Sequence, residues 1–255
     1  MTASSHTTRA QSFNAAAAQY AANRPSYPTA LFDAIEDLAG RPLTGARVAD
    51  VGAGTGIATA LLHARGADVI AVEPGDGMAA QFRRAHPDIP IILGDGNTLP
   101  LATSSADFLT YAQSWHWTDP AQAVPEAVRV LRPGGALALW WNTDALDVPW
   151  IAEAADRTGR YLGVNVAAEK RGVNARVADP TGRLDFARRE VRWSRHVSID
   201  THLANIASHS QFLVHGEEAG AAFFAEERDH LTRAFPDGVV EEVYDVILLL
   251  ATTTP

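Results

Sequence analysis

The sequence predicts an α/β fold: a doubly wound, Rossmann-like, mainly parallel seven-stranded sheet with an antiparallel edge strand and a helical cap. Three observations predict it. Short, largely apolar stretches such as Arg47–Val51, Asp68–Glu73 and Asp107–Tyr111 alternate with helical patterns, as strands buried on both faces of a parallel sheet do. A glycine-rich turn, Gly52-Ala53-Gly54-Thr55-Gly56, follows the first of them. The regular alternation lapses after Asn142, where helical stretches separate two further strand-like stretches.

The elements follow in order. Residues 1 to 10 are small and polar and read as a frayed start. Ser12 to Asn23 is Ala-rich and reads as a helix. Pro25 and Pro28 break it, and Tyr27-Pro28 makes a stiff connection. Thr29 to Leu38 is a helix with Leu31, Ile35 and Leu38 on one face, ended by Gly40 and Pro42. Helices are expected over Ile57–Arg65, Asp76–Arg84 and Pro120–Leu131, with a third strand at Ile89–Leu93. Pro133-Gly134-Gly135 reads as a turn into a fifth strand, Ala136–Trp141. Residues 147–163 read as a helix and 164–184 as a loop. Ala187–Ser198 alternates as a strand, with Val191, Trp193 and Val197 on one face. Helices Asp200–Leu213 and Glu217–Phe235 precede a last strand, Val239–Ala251, and both late strands are expected at the sheet edge.

Composition narrows the function. The chain has 255 residues, 47% of them apolar, and a net charge of −9. That acidic balance argues against a nucleic-acid partner. The absence of cysteine excludes disulfides, thiolate metal sites and a cysteine nucleophile. No apolar run is long enough to cross a bilayer, and the start has no apolar signal core. The expectation is a cytoplasmic protein without a membrane partner. His202, His209 and His215 lack the carboxylate partners and spacing of a metal site, so no metal is expected. Oligomeric state is unreadable from the sequence.

The glycine-rich turn carries the chemistry. Glycines let the backbone approach a ligand, and the following helix N-terminus favours polar or anionic ligand atoms. A dinucleotide site wants a further glycine where this chain has Ile57, which argues against a nicotinamide cofactor. Glu73 ends the second strand, where a carboxylate accepts hydrogen bonds from ribose hydroxyls. Asp95, in Gly94-Asp95-Gly96 just past the third strand, is placed to accept from an adenine amino group, with Gly96 leaving room for the ring.

The stretches VADVGAGTG (48–56), AVEPGDGM (71–78), GDGNTLPL (94–101) and VLRPGGALALWW (130–141) resemble the class I S-adenosylmethionine-dependent methyltransferases. The resemblance covers roughly residues 12 to 145. It implies S-adenosylmethionine as cofactor and S-adenosylhomocysteine as product. It implies that Asp50, Gly52, Gly54 and Gly56 cradle the methionine and ribose portion. Glu73 would bind the ribose, Pro74 and Met78 would line the adenine, and Asp95 and Gly96 would flank its edge. On this reading residues 1–145 form the cofactor-binding core with an N-terminal lid helix. Residues 146–255 add cap helices and the last two strands to the same domain. QYAANRPSYP (19–28) and AQSWHW (112–117) are similar to the trans-aconitate branch, which forms methyl esters of small carboxylic acids.

Tyr20 and Arg24 are read as lid residues facing the cofactor's methionine carboxylate or an acidic substrate, since an Arg fork suits a carboxylate. Tyr27 is read with them, on the acceptor side. Gln113 is a further cofactor contact. Trp115, His116 and Trp141 are expected to line the acceptor site, with His116 as base or orienting group. The alternative for the tyrosines and tryptophans is packing, and packing is expected for Trp150 and Trp193. Arg183, Arg188, Arg189, Arg192 and Arg195 read as a solvated face. The expected reaction moves a methyl group to a carboxylate or hydroxyl oxygen of a small molecule. The alternatives are N- or C-methylation of a specialised metabolite, or a cofactor-binding regulator without turnover.

Overall fold

The computed structural model describes residues 23–165, 168, 172–173, 175–209, 212 and 217–254. The expected helix from Ser12 lies outside these residues apart from Asn23, as do Tyr20 and His215. The described elements run α1 (Thr29–Ala39), β1 (Arg47–Val51), α2 (Ile57–Ala64), β2 (Asp68–Glu73), α3 (Asp76–Ala85), β3 (Ile91–Leu93) and β4 (Ala106–Ala112). A 3-10 turn (Trp115–Trp117), α4 (Pro120–Val130), β5 (Leu131–Asp144) and α5 (Pro149–Leu162) follow. Then come a helical turn (Ala175–Ala178), β6 (Ala187–Ser198), α6 (Ile199–Ala207), α7 (Glu217–Ala234) and β7 (Val239–Thr252).

The seven strands form one sheet in the order β3-β2-β1-β4-β5-β7-β6. Five of them, β3 through β5, pair in parallel. β7 runs antiparallel to β5, since Thr253 donates to Gly135 while Ala145 donates to Val243. The doubly wound mixed sheet and the edge position of the last two strands are as the sequence predicts. Strands β1, β2 and β4 are buried on both faces, which is why they read as apolar runs rather than alternating ones. β6, at the edge, alternates residue by residue between exposed and half-buried.

Differences from expectation have local causes. β3 starts at Ile91 rather than Ile89, because Pro90 has no N–H to give a ladder. β5 starts at Leu131, not Ala136: Gly134, at φ +71°, keeps the chain in the sheet through an irregular register instead of turning it. Gly134 and Gly135 there bond to Thr254 and Thr253. The stretch read as loop over 164–184 contains the helical turn Ala175–Ala178. α6 is shorter than expected; Ser198 caps its start by accepting from the Thr201 N–H, and the helix closes at Ser208.

Contacts gather the chain into two units. One comprises the described residues of Ser26–Asn142, Gly172–Val191 and Val246–Pro255. Its core joins β1, β2, β4 and β5 to α4 through residues such as Val51, Leu109, Tyr111, Trp115, Val124 and Leu139. The other comprises the described residues of Met1–Pro25, Thr143–Arg171 and Arg192–Asp245. Its apolar centre is Ile199, Leu203, Leu231 and Val240, with Trp150, Phe224 and Phe235 against it. Among the described residues no helix is long and apolar enough to cross a membrane.

Candidate active site

Parallel pairing aligns the carboxyl ends of the strands, so the loops after β1, β2, β3 and β4 share one rim of the first unit. In open α/β sheets that rim is where ligands bind. Gly52, Gly54 and Gly56 all have positive φ, at +68°, +58° and +95°. The three are not equivalent. A Cβ on Gly52 would lie 2.5 Å from Ser114 Cβ, and one on Gly56 would lie 2.5 Å from the His86 ring. A Cβ on Gly54 would meet nothing within 4 Å. Gly52 and Gly56 therefore let the loop pack against its surroundings, while the crest at Gly54 faces open space.

The loop is held from below and from the side. Asp50 is fully buried; its Oδ2 accepts from Thr59 Oγ1 (2.6 Å) and its Oδ1 from Thr110 Oγ1 (2.8 Å). Burial without a cation pushes its carboxyl up to about 6. Asp50 thus ties the end of β1 to α2 and β4 from beneath the loop rather than presenting oxygens to the rim. Ser114 Oγ donates to the Val51 carbonyl at 2.6 Å, locking the β4 loop over Gly52.

Glu73 is nearly buried and bridges two loops. Its Oε2 accepts from the Gly54 N–H (2.8 Å) and its Oε1 from the Gly75 N–H (2.9 Å). Burial raises its carboxyl above the ordinary range, and these two N–H bonds oppose that shift. Pro74 is exposed beside it, and Met78 is buried on α3. Asp95 is exposed and makes a turn: Oδ1 accepts from the Asn97 and Thr98 N–H groups. Gly96 is required there, because a Cβ would lie 2.8 Å from Thr118 Cγ2. Asn97 Oδ1 accepts from the Asp119 N–H at 2.7 Å, joining this loop to the one after β4.

Gln113, at the end of β4, is a non-glycine residue at φ +57°. Such backbone strain costs roughly 1–3 kcal/mol and gathers at functional sites. The Gln113 N–H donates to the Trp140 carbonyl, which fixes the turn. Trp115 is buried in the core, edge-on to Tyr111, with its indole N–H on the Ala178 carbonyl; it packs behind the site rather than walling a pocket. His116 is exposed, and its Nδ1 accepts from the Trp141 indole N–H at 3.2 Å. Tyr27 meets the fully buried Trp140 edge-on at 5.8 Å, and Asn142 Nδ2 donates to the Ser26 carbonyl.

In the second unit, Arg24 and Asn23 offer their backbone carbonyls to Arg195. The arginine-rich stretch is exposed at Arg183, Arg188 and Arg192, as a solvated face is, but several of its arginines are also paired. Arg192 bonds Asp147 and Asp245, and Arg195 bonds the buried Glu242. His202, read as lacking a carboxylate partner, has one: its Nδ1 lies 2.6 Å from Glu242 Oε1. Their 40-residue separation hides the pair from any local motif. Trp150 and Trp193 pack, the first against Phe235 and the second stacked on Tyr244. Among the described residues no His, Asp and Glu side chains gather as a metal site.

A glycine-rich loop after β1, an acid closing β2 and a strained turn after β4 thus lie together at the carboxyl ends of a doubly wound sheet. The methyltransferase-domain family model matches residues 49–139, the stretch that builds this rim. The uncharacterized methyltransferase Rv3342 of Mycobacterium tuberculosis is 38% identical over 199 residues, covering 78% of this chain and 76% of that one. An uncharacterized methyltransferase-like protein of Schizosaccharomyces pombe is 34% identical over 152 residues, 59% of each chain. A structure of a putative type II methyltransferase from Anaeromyxobacter dehalogenans shares the fold at TM-score 0.70 and 24% identity, covering 91% of this chain and 99% of that one. The chain belongs to the class I S-adenosylmethionine-dependent methyltransferases.

Proposed function

We propose that this enzyme takes its methyl group from S-adenosylmethionine bound at the loop rim and delivers it to a carboxylate or hydroxyl oxygen of a small molecule. The observation that carries the cofactor reading is the open crest at Gly54 beside a two-oxygen acceptor, Glu73. A carboxylate has room for about four hydrogen bonds, so Glu73 can take ribose hydroxyls while keeping both N–H groups. Thr55 Oγ1 adds a buried hydroxyl with no hydrogen-bond partner among the described residues, at the uncapped start of α2. The residues fit the cofactor's ribose and polar tail.

When bound, S-adenosylmethionine supplies an electrophilic methyl carbon on a sulfonium. The chain's own work is alignment and exclusion of water. Gly52, Gly54 and Gly56 shape the cradle, Glu73 and Asp95 offer acceptors, and Gln113 fixes the turn that ends β4. Tyr27 is assigned to the acceptor side. His116 and Trp141 are assigned to the acceptor as a pair. While the Trp141 indole donates to Nδ1, the His116 ring is neutral with its proton on Nε2. A ring in that state donates a hydrogen bond and has no lone pair to take a proton, so His116 orients the acceptor.

Calorimetric titration with S-adenosylmethionine tests the first half; a folded sample that binds none overturns the reading. For the second half, His116→Gln is expected to leave cofactor affinity within about twofold. Its turnover should fall by less than about tenfold, short of the 100-fold or more expected for a lost base.

A further inference from the structure

We infer that Asn97 is a positioning residue: its side chain joins the loop that offers Asp95 to the cofactor to the turn that carries His116, so that filling the cofactor site sets the acceptor side. The inference rests on the cofactor reading above, and every residue it uses lies in the first unit.

The geometry is that of a short turn slung between two loops. Its start is tied to the glycine-rich loop by Ser114 Oγ, which donates to the Val51 carbonyl at 2.6 Å. Its middle is anchored by the buried Trp115, edge-on to Tyr111 at 4.7 Å. Its end is tied to the loop after β3, where the Asp119 N–H donates to Asn97 Oδ1 at 2.7 Å. Between these ties the Trp117 and Thr118 N–H groups close the 3-10 turn on the Ser114 and Trp115 carbonyls. Thr118 Oγ1 donates to the Trp115 carbonyl as well, at 2.8 Å. His116 is the exposed member of this turn. Its ring meets Trp117 at 4.8 Å and accepts from the Trp141 indole.

Asn97 and Asp95 belong to one turn. Asp95 Oδ1 accepts from the Asn97 and Thr98 N–H groups at 2.7 and 3.2 Å, and this turn aims the Asn97 side chain. Gly96, between them, leaves no slack: a Cβ there would lie 2.8 Å from Thr118 Cγ2 and 3.1 Å from Tyr111 Cε1. The Asp95 loop and the His116 turn therefore meet twice, by close packing at Gly96 and by a hydrogen bond at Asn97. Close-packed groups transmit displacement, and a hydrogen bond, which weakens steeply off line, gives it direction. A ligand that engages Asp95 shifts its turn; Asn97 Oδ1 shifts with it, and the Asp119 N–H follows. Asp119 also caps α4, its Oδ1 accepting from the Ala121 N–H at 3.0 Å. One side of the joint is thus fixed to a helix, and the displacement is taken up in the turn that holds His116.

Nitrogen-15 NMR of the tryptophan indoles in the full chain reads the joint. Trp117 and Trp141, two of six tryptophans, are assigned through Trp117→Phe and Trp141→Phe. Titration with S-adenosylhomocysteine should move both indole signals in the wild type, with the midpoint that calorimetry gives for binding. Asn97→Ala should bind S-adenosylhomocysteine within about threefold of wild type, the scale of one exposed hydrogen bond, yet leave both signals near their ligand-free positions. Asn97→Asp, which keeps an acceptor oxygen, should restore the wild-type response. Signals that move as far in Asn97→Ala as in the wild type overturn the inference, as does an Asn97→Asp response no larger than that of Asn97→Ala. Binding that moves neither signal in the wild type overturns it too, and leaves the cofactor reading standing. A folded wild type that binds no S-adenosylhomocysteine strikes the cofactor reading itself, and this inference with it.

Discussion

At the amino end of β4, Asp107 meets three arginines: Arg47 at 3.4 Å, Arg41 at 3.7 Å, and Arg132. At the opposite end of the neighbouring strand, Asp50 meets two threonine hydroxyls and, among the described residues, no cation. Burial opposes the charge of both acids. At Asp107 the Arg47 N–H and the surrounding guanidinium groups outweigh it and hold the carboxyl below its ordinary range. At Asp50 burial wins and the carboxyl rises to about 6. The amino end is built to hold the sheet. The carboxyl end gives up stability for a shaped loop, and it also carries the left-handed backbone of Gln113.

The largest effect that tests this contrast lies in the glycines. Gly52→Ala brings a clash with Ser114 and a strained φ, expected to cost about 3 kcal/mol of stability and to abolish cofactor binding. Gly54→Ala keeps only the strain, about 1 kcal/mol, yet should also lose binding, because the new methyl group occupies the open crest. Urea unfolding beside calorimetry separates the two. Equal stability losses would show that the crest is not open.

Next comes Asp50→Asn. A folded-state carboxyl raised from 3.8 to about 6 means the native state holds the extra proton between those values. Stability on this account falls as pH rises through that window, and the penalty persists above it. The variant should therefore be more stable than wild type at pH 8 by on the order of 2–3 kcal/mol, the gain vanishing below about pH 4. Asp107→Asn should behave oppositely and more weakly. Its arginines are partly exposed, so the loss at pH 7 is about 1 kcal/mol, and it disappears as pH falls below the ordinary carboxylate range. Denaturant midpoints across pH 3–8 read both. Parallel curves for the two variants would erase the distinction between the ends.

Much of the rim was legible because its constraints are local. Gly52, Gly54 and Gly56 mark a tight turn and Glu73 closes an apolar strand, each visible within a few residues of sequence; Gly96, read as leaving room for an adenine ring, leaves room for the distant Thr118 and Tyr111. Thr59, Thr110 and Ser114 were missed because their partners lie 9, 60 and 63 residues away, and a threonine on a helix or strand carries no sign of the acid it satisfies. Trp115 illustrates the limit from the other side. Its position after β4 suggested an acceptor wall, but the turn points the indole inward to Ala178. β6 was read correctly as a strand, while its arginines were read as solvated. Only the antiparallel pairing with β7 sets Arg195 against Glu242, and through it reveals the carboxylate of His202.

Glu73 spans Gly54 and Gly75 with one oxygen each, and that fixes what an engineer can change. An acid that merely met a ribose could be exchanged to admit cofactor analogues with altered sugars. Here the same side chain is the strut between two loops, so any exchange that relaxes sugar selectivity also lets the cradle sag. On the proposed cofactor reading, sugar or base analogues are better sought beside Pro74, whose exposed side chain can be varied without cutting the Glu73 bonds, whereas Asp95 closes its own turn.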